Sequence, residues 1–313
     1  MSAPHPVKAA VRLSLYDRVA EETASIVIRR YSTSFGLASR LLGPGVRQNV
    51  ENIYALVRVA DEIVDGAAEQ AGMDMPGAGR VLDTLERETE HAIEHGFSAN
   101  LVVHAFALTA REVSFGSELT APFFESMRMD LSQKRHDQAS FERYVYGSAE
   151  VVGLMCLHAF LLGETVTDRA RFEAGARALG AAFQKVNFLR DLSADFETLG
   201  RSYFPDVAVD SFDEPTKLRL LADIDADLAV SAAVVPDLPR SSRRAVALAQ
   251  SLFAELSVRL RATPASELVH TRVRVPNPVK ARLALAAALG AKPAPAAALG
   301  ANAAPATQPG GKP

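Results

Sequence analysis

One stretch of the sequence decides the fold: Tyr54-Ala-Leu-Val-Arg58-Val-Ala-Asp61-Glu-Ile-Val-Asp65. Arg58, Asp61 and Asp65 follow Tyr54 at intervals of four, seven and eleven residues. At roughly 100° per residue, these four side chains fall within about 60° of arc on one face of an α-helix. Apolar residues flank that face, namely Ile53, Leu56, Val57 and Ala60. The stretch therefore predicts a mostly buried helix that carries two carboxylates about one turn apart.

A second stretch, Gln184-Lys-Val-Asn187-Phe-Leu-Arg-Asp191-Leu-Ser-Ala-Asp195, repeats the pattern. Asn187, Asp191 and Asp195 follow Gln184 at intervals of three, seven and eleven residues, again within about 80° of arc. A single such carboxylate pair is usually solvated surface, because like charges repel and burial adds to the cost. Two pairs that are both flanked by apolar residues instead predict sites for cations.

The ligand chemistry favours magnesium. Several carboxylates and an amide form an oxygen-rich set that suits Mg²⁺, with Mn²⁺ as the alternative ion, and Mg²⁺ commonly binds substrate phosphates beside one or two carboxylates. The predicted metal ligands are Asp61, Asp65, Asn187, Asp191 and Asp195. Two opposed acidic faces in a helical bundle would hold a diphosphate between metal ions, which favours an enzyme of prenyl diphosphates.

Helical periodicity dominates the rest of the chain and predicts an all-α fold. Apolar residues three and four apart mark seven helical stretches in a fold of roughly a dozen helices, and no period-two alternation recurs often enough for a sheet. The predicted helices are Arg47–Gly66, Gly79–His95, Asn100–Val113, Phe141–Leu162, Asp168–Phe196, Glu214–Ala233 and Ser241–Ala262. Glycines and prolines, Pro122 among them, are interpreted as breaks between helices. We expect one domain over residues 12–289, an N-terminal extension over 1–11, and a disordered Ala/Pro/Gly-rich tail over 290–313.

Composition excludes several classes of protein. The 313 residues contain 34 Lys and Arg against 37 Asp and Glu, which argues against nucleic-acid binding by bulk electrostatics. The single Cys156 excludes an intrachain disulfide framework. The first residues lack the apolar core of a signal peptide, and the longest apolar run is too short to span a bilayer. We therefore expect a cytoplasmic protein that makes peripheral contact with the inner face of the membrane.

Three blocks of sequence resemble the squalene/phytoene synthase family over nearly the whole domain. The first runs from Tyr31-Ser-Thr-Ser-Phe35 through Tyr54 to Asp65, and the second is Tyr144-Val-Tyr-Gly-Ser-Ala-Glu150-Val-Val-Gly153. The third runs from Leu179 through Asp191 and Asp195 to Arg201-Ser-Tyr203-Phe-Pro205. The residues in these blocks are more similar to those of bacterial phytoene synthases than to those of squalene synthases. Tyr31 and Glu150 depart from the pattern of many relatives.

The resemblance implies a single helical bundle of the isoprenoid (terpenoid) synthase type with a central cavity. It also implies a Mg²⁺-dependent, head-to-head condensation of two geranylgeranyl diphosphates, through prephytoene diphosphate, to phytoene. No NADPH would be needed for this first committed step of carotenoid biosynthesis. Carotenoid enzymes that supply the substrate and consume the product are the expected partners.

The implied site residues divide by role. Asp61, Asp65, Asp191, Asp195, Arg58 and Tyr54 are the expected catalytic residues, and the expected substrate-binding residues are Ser32, Ser34, Tyr144, Gln184, Asn187, Arg190, Arg201 and Tyr203. Departing diphosphates need electrophilic stabilisation, which Arg and Lys side chains, including Lys185, can give. Ser32 and Ser34 could equally cap a helix, and Tyr54 and Tyr144 could equally be core residues.

The sequence also leaves two alternative functions open, and two short segments have their own predicted roles. A squalene or dehydrosqualene synthase would use farnesyl diphosphate, and a relative without activity would bind isoprenoids or act as an assembly factor. The small side chains of Gly36, Ala38 and Ser39 would leave room for long chains if they face the cavity. The basic, proline-broken segment from Arg272 to Pro278 is interpreted as a surface linker, with closure of the diphosphate end of the cavity or contact with anionic lipid as the alternatives.

Overall fold

A computed structural model describes residues 13–192, 203–207 and 211–293. Within these ranges the chain is helical and contains no β-strand, which confirms the predicted all-α fold. The helices are α1 (Leu15–Tyr31), α2 (Thr33–Ser39), α3 (Pro44–Val64), α4 (Ala67–Gln70), α5 (Met75–His95), α6 (Leu101–Val113), α7 (Ser117–Ser132), α8 (Gln138–Val145), a π-helical turn (Tyr146–Glu150), α9 (Val151–Phe160), α10 (Arg169–Arg190), α11 (Glu214–Val234), a 3₁₀ turn (Val235–Asp237), α12 (Arg240–Ala262), α13 (Ala265–Leu268) and α14 (Asn277–Ala288).

Each of the seven helices predicted from periodicity has a counterpart in the structure. The seven predicted stretches do not include α1, α2, α4, α7, α13 and α14. The interpretation of Pro122 as a break is wrong, because Pro122 lies inside α7. A proline in a helix interior removes one backbone hydrogen bond, but the buried Phe123, Phe124 and Met127 fix this helix to the core.

The core consists of two large groups of buried side chains with a cavity between them. One group is centred on α3, α6 and α7 and includes Phe106, Phe123 and Phe124. The other is centred on α10, α11 and α12 and includes Leu189 and Leu221. Because α3 and α10 contribute to the two different groups, their facing sides line the space between them.

Two glycines allow unusually close packing between α10 and the segment before it. A Cβ atom on Gly180 would lie 2.5 Å from the carbonyl oxygen of Ala149, in the π-helical turn. A Cβ atom on Gly153 would lie 2.5 Å from the carbonyl oxygen of Ala176. Both distances are too short for a side chain, so backbone packs directly on backbone here. This contact fixes α10 beside the helical segment that carries Tyr144.

The N-terminus of α1 is fixed by a capping box and a buried histidine. The Ser14 hydroxyl accepts from the Asp17 N–H at 3.1 Å, and the Asp17 carboxylate accepts from the Ser14 N–H at 2.7 Å. The same carboxylate lies 2.9 Å from Nε2 of the buried His104 on α6. These contacts satisfy free amides of the first turn and attach α1 to α6.

None of the described helices is long and apolar enough to cross a bilayer. Residues 1–11 and 294–313 lie outside the described residues, so the predicted N-terminal extension and tail stay predictions.

Candidate active site

The cavity between the two core groups has a volume of about 580 Å³, within the usual range for small-molecule sites. Its wall on α10 runs from Phe172 to Arg190, about 27 Å at 1.5 Å per residue. The lining of α10 is apolar near Phe172 and polar from Gln184 onward. The lining of α3 changes in the same way, from Val50 to Asp65. The cavity is therefore a long apolar chamber with one polar end.

The first acidic face lies at the polar end, as predicted. Asp61 and Asp65 both line the cavity from the C-terminal end of α3. Burial raises the pKa of the Asp61 carboxyl well above its usual value, and the charges of Asp65 and Asp130 raise it further. Arg58 opposes this effect without cancelling it. Ionisation of Asp61 is thus disfavoured in the absence of a cation.

Arg58 lines the cavity and has two neighbours that the sequence pattern did not reveal. Its guanidinium forms an ion pair with Glu62, one turn further along α3. It also lies over the ring of Tyr31, 4.5 Å from the centroid, in a cation–π contact. Tyr31 is one of the two departures from the family pattern. Its ring therefore helps to position the guanidinium of Arg58.

The second acidic face also reaches the cavity. Gln184, Asn187 and Asp191 line it from α10, together with Arg190. The Asp191 carboxylate is held by Arg190, which donates from Nε at 3.0 Å. Asp195 and Arg201, predicted to belong to this face, lie outside the described residues.

Asp191 has a further partner, which comes from neither α3 nor α10. The Nε of Arg272 lies 2.7 Å from Oδ1 of Asp191, and Arg272 lines the cavity. Residues 271–276 lie outside any helix between α13 and α14, as the linker interpretation predicts, and Arg272 also contacts the polar end of the cavity, which is the alternative role of this segment. Arg272 brings a third arginine to the acidic end, after Arg58 and Arg190, from a segment distant in sequence.

A buried carboxylate on α7 holds two of the predicted tyrosines. Asp130 accepts from the Tyr144 hydroxyl at 2.8 Å and from the Tyr203 hydroxyl at 3.2 Å. Burial, and then the charge of Asp130, raise the pKa of Tyr144 well above its usual value, so the phenol stays protonated. His136 packs against both rings, and burial lowers its pKa. Sequence reasoning missed Asp130 because it belongs to neither acidic stripe.

The remaining predicted residues at this end have mixed outcomes. Tyr54 lines the cavity, and burial raises its pKa. The Ser32 hydroxyl accepts from the Phe35 N–H at 3.0 Å and caps α2, so the capping interpretation is confirmed for Ser32. Ser34 lies in α2, but its side chain lies outside what the structure describes.

Two charged residues point away from the cavity. The expectation that Lys185 supplies a cation to the diphosphates is wrong: its Nζ binds Asp223 at 2.5 Å and Asp227 at 2.8 Å on α11. Glu150, the other departure from the family pattern, forms an ion pair with Arg177 at 2.6 Å. Both pairs tie α10 to its neighbouring elements instead of contributing to the polar end.

The comparison of the sequence with family models gives a match to the family described as squalene/phytoene synthase, over residues 28–278. The matched region contains both acidic faces and Arg272. The chain belongs to the squalene/phytoene synthase family. Members of this family are prenyltransferase-type enzymes with isoprenyl diphosphate substrates.

Individual members of the squalene/phytoene synthase family resemble the chain at modest identity. A 15-cis-phytoene synthase of Paracoccus sp. is 28% identical over 258 residues, which cover 76% of this chain and 81% of the relative. A 15-cis-phytoene synthase of Enterobacter agglomerans is 27% identical over 281 residues, covering 82% and 91%.

Solved structures of the squalene/phytoene synthase family share the fold. A dehydrosqualene synthase superposes with a TM-score of 0.72 at 23% identity, covering 87% of this chain and 96% of that one. The squalene synthase HpnC of Alicyclobacillus acidocaldarius superposes with a TM-score of 0.68 at 20% identity, covering 80% and 96%. These neighbours confirm the helical bundle of the terpenoid synthase type.

The donor set at the polar end of this family member fits magnesium. Asp61, Asp65, Asp191 and the Asn187 amide all line one end of the cavity, and all offer the oxygen ligands that Mg²⁺ prefers. Burial, and then the charges of Asp65 and Asp130, raise the pKa of Asp61, and a divalent cation bound there would oppose both effects. Among the described residues, no three acidic, histidine or cysteine side chains form a complete metal site. Mg²⁺ commonly completes its coordination with water and substrate phosphate.

Proposed function

We propose that the chain is a phytoene synthase. It would condense two molecules of geranylgeranyl diphosphate head to head, through prephytoene diphosphate, and release two diphosphates. The observation that carries this proposal is the form of the cavity: an apolar wall of about 27 Å leads to a polar end that Asp61 and Asp65 of α3 and Asp191 of α10 line together. The names of the bacterial relatives from Paracoccus and Enterobacter support it.

The cavity walls bind and shield the prenyl chains. Phe160, Phe172 and Val246 line its apolar part, on α9, α10 and α12, where water is disfavoured. Exclusion of water matters because the allylic cation formed after diphosphate departure reacts readily with it. The polar end then holds the diphosphates, the only charged parts of the substrates.

The residues of the polar end would stabilise the leaving diphosphates. Asp61, Asp65, Asn187 and Asp191, with Asp195, would hold Mg²⁺, which supplies electrophilic stabilisation of the diphosphate oxygens when bound. Arg58, Arg190 and Arg272 would contribute fixed positive charge, and Arg suits phosphate because its planar fork binds two oxygens. Arg190 and Arg272 now neutralise Asp191, so both are close enough to turn from the carboxylate to an incoming diphosphate.

The proposed reaction has two parts. In the first, the C–O bond of one allylic diphosphate breaks and diphosphate leaves. The double bond of the second substrate then attacks the cation, and loss of one proton closes the cyclopropane of prephytoene diphosphate. In the second part, the other diphosphate leaves, the carbon skeleton rearranges, and loss of a second proton gives phytoene. No electrons are gained, so NADPH is not required.

Tyr144 and Tyr203 would serve as oriented phenols beside the reacting centre. Asp130 accepts a hydrogen bond from each hydroxyl, which fixes the position of the two oxygens. The phenol oxygens and ring faces are electron-rich, and they can stabilise positive charge without reacting with it.

A product assay with purified protein and Mg²⁺ tests the proposal. Geranylgeranyl diphosphate and farnesyl diphosphate are supplied separately, each with and without NADPH. The double variant Asp61→Asn/Asp191→Asn removes one carboxylate from each acidic face, and Asp237→Asn, an exposed carboxylate paired with Arg171, is the matched control. We expect a C40 hydrocarbon without NADPH, lost in the double variant and retained in the control.

Other outcomes assign the alternatives. Product from farnesyl diphosphate alone would identify a C30 synthase, and a requirement for NADPH would then specify squalene. No product from either substrate would favour an isoprenoid-binding or assembly role. The retention of Asp61, Asp65 and Asp191 in one cavity argues against that role, because binding alone does not require them.

A further inference from the structure

The C-terminal part of the chain has an unusual charge pattern. From Leu268 to Pro313 the sequence contains no Asp or Glu, although the whole chain has a net charge of −3. The same stretch contains six basic residues, listed here in order: Arg272, Arg274, Lys280, Arg282, Lys292 and Lys312. This stretch of sequence is therefore basic, in a chain that is otherwise acidic.

Helix α14 within this stretch packs on the core along one side only. Ala287 is buried, and Val279 and Leu283 pack partly buried against the core group of α12. The opposite side presents two leucines to solvent. Leu285 is 63% exposed, and Leu289, which follows the last residue of the helix, is 78% exposed. Few large apolar side chains of the described residues are as exposed as these two.

The exposed side of α14 combines these leucines with a cation. At roughly 100° per residue, one arc of about 100° contains Pro278, Ala281, Arg282, Leu285 and Leu289. Arg282 is exposed, and so are Arg274 and Lys292 on either side of the helix. Within the described part of the chain, none of these three cations forms an ion pair. Their charge is available to a partner outside the chain.

The position of α14 relates this surface to the cavity. Arg272, five residues before the helix, lines the polar end and binds Asp191. A partner that covers α14 would therefore lie beside the segment that closes that end.

We propose that the outer side of α14, with Arg274, Arg282, Leu285, Leu289 and Lys292, is a docking surface for a bilayer of anionic lipid. Exposed leucines beside unpaired cations match the two components of such a bilayer, the acyl region and the acidic headgroups. A second copy of the chain that paired through the same surface is a poorer partner, because Arg274, Arg282 and Lys292 of the two copies would repel each other. The inference extends the proposed function but does not depend on which prenyl diphosphate the enzyme uses.

Sedimentation with vesicles tests the proposal on the full chain. One vesicle preparation contains equal parts of phosphatidylcholine and phosphatidylglycerol, and the other contains phosphatidylcholine alone. We expect binding to the anionic vesicles that weakens as salt increases, because screening acts on exposed charges. Leu285→Asp/Leu289→Asp and Arg274→Glu/Arg282→Glu should each lower the partition coefficient about tenfold or more.

Matched controls separate this surface from general effects of charge and hydropathy. Leu15→Asp changes a leucine that is 69% exposed on α1, and Arg240→Glu/Arg244→Glu reverses two exposed arginines at the start of α12. Both controls should bind anionic vesicles as the unchanged chain does. Thermal unfolding of every variant confirms that it is folded, and activity without vesicles, which should be unchanged, keeps this test independent of the proposed function.

Three results would overturn the proposal. The first is an unchanged chain that does not sediment with anionic vesicles at low salt. The second is an equal loss of binding in the controls. The third is a dimer that the Leu285→Asp/Leu289→Asp variant converts to a monomer while vesicle binding persists, which would assign the surface to a second copy of the chain.

Discussion

The Oδ2 atom of Asp130 lies 2.8 Å from the hydroxyl oxygen of Tyr144, and both side chains are buried beside the acidic end of the cavity. Tyr203 donates to the same carboxylate. We predict that Asp130→Asn lowers kcat about tenfold or more, which corresponds to roughly 1.4 kcal/mol of transition-state stabilisation. The amide has one accepting oxygen in place of two, so it cannot orient both phenols in the same way.

A double-mutant cycle distinguishes positioning of the phenols from damage to the fold. If Asp130 acts through Tyr144, then Asp130→Asn/Tyr144→Phe should be only slightly worse than Tyr144→Phe alone, since coupled residues are not additive. Tyr146→Phe, a tyrosine whose ring lies under Arg177, is the control and should retain activity. Fully additive losses in the cycle would contradict a role for Asp130 through Tyr144.

Removal of the Asp61 charge should separate stability from activity. Burial and the charges of Asp65 and Asp130 disfavour the ionised form of Asp61 in the folded protein. We therefore predict that Asp61→Asn raises Tm by about 2 °C or more when EDTA removes divalent cations. The same variant should lose at least about a hundredfold in activity, because a predicted metal ligand is gone. Scanning fluorimetry and the product assay measure the two effects, and a lower Tm would show that Asp61 is stabilised by contacts instead.

The sequence allowed prediction of the acidic faces because each lies on a single helix. In α3 and α10 the 3.6-residue period places the polar stripe and its apolar flanks on known sides, without any information from the rest of the chain. Asp61, Asp65, Gln184, Asn187 and Asp191 were therefore assigned to the cavity correctly.

The contacts that join distant helices could not be predicted in this way. Asp130 meets Tyr203 across 73 residues, and Lys185 meets Asp223 across 38. Periodicity describes the face of one helix but not which neighbour covers it. For α7 the proline rule also gave the wrong answer, since tertiary packing outweighed the local preference of Pro122.

The contact between Arg272 and Asp191 predicts a role in substrate binding. Arg272 is the cation that a segment outside α3 and α10 brings to the acidic end. We predict that Arg272→Gln raises KM for the diphosphate substrate about tenfold, with a smaller change in kcat, because the lost charge contacts the diphosphate before and after it leaves. Arg274→Gln, two residues further and exposed, is the control in an assay without vesicles. Equal effects of the two substitutions would mean that only the net charge matters.

The contact that attaches α1 to α6 should stabilise the fold less as the solution becomes acidic. The hydrogen bond from His104 is the largest cause that lowers the pKa of Asp17. A lowered pKa means that the ionised carboxylate stabilises the folded state above the unfolded pKa of 3.8, and that this contribution is lost as pH falls through the folded value. We predict that Asp17→Asn lowers Tm by roughly 2–4 °C at pH 6, as expected for about 1 kcal/mol. The difference should shrink below about pH 4, and a difference independent of pH would contradict the prediction.

The preference of the enzyme for substrates of one prenyl chain length should depend on Ser39. Ala38 and Ser39 line the cavity, whereas Gly36, the third small residue predicted to do so, does not. Ser39 is buried at the end of α2, and its hydroxyl bonds the carbonyl of Gly36 at 3.1 Å, so the side chain fills little of the space beside it. A phenylalanine there would project into the chamber and shorten it, because a packed helix cannot move aside without strain.

We predict that Ser39→Phe shifts the ratio of kcat/KM for farnesyl over geranylgeranyl diphosphate about tenfold toward the shorter substrate. A loss of a few methylene contacts is worth 1–3 kcal/mol, roughly 10- to 200-fold in discrimination. Competition between the two diphosphates, followed by analysis of C30 and C40 products, measures the ratio directly. Ser251→Phe on the half-buried side of α12, which does not line the cavity, is the control for the added ring. If Ser39→Phe reduces both activities equally, Ser39 affects the stability of the site and not the length of the chamber.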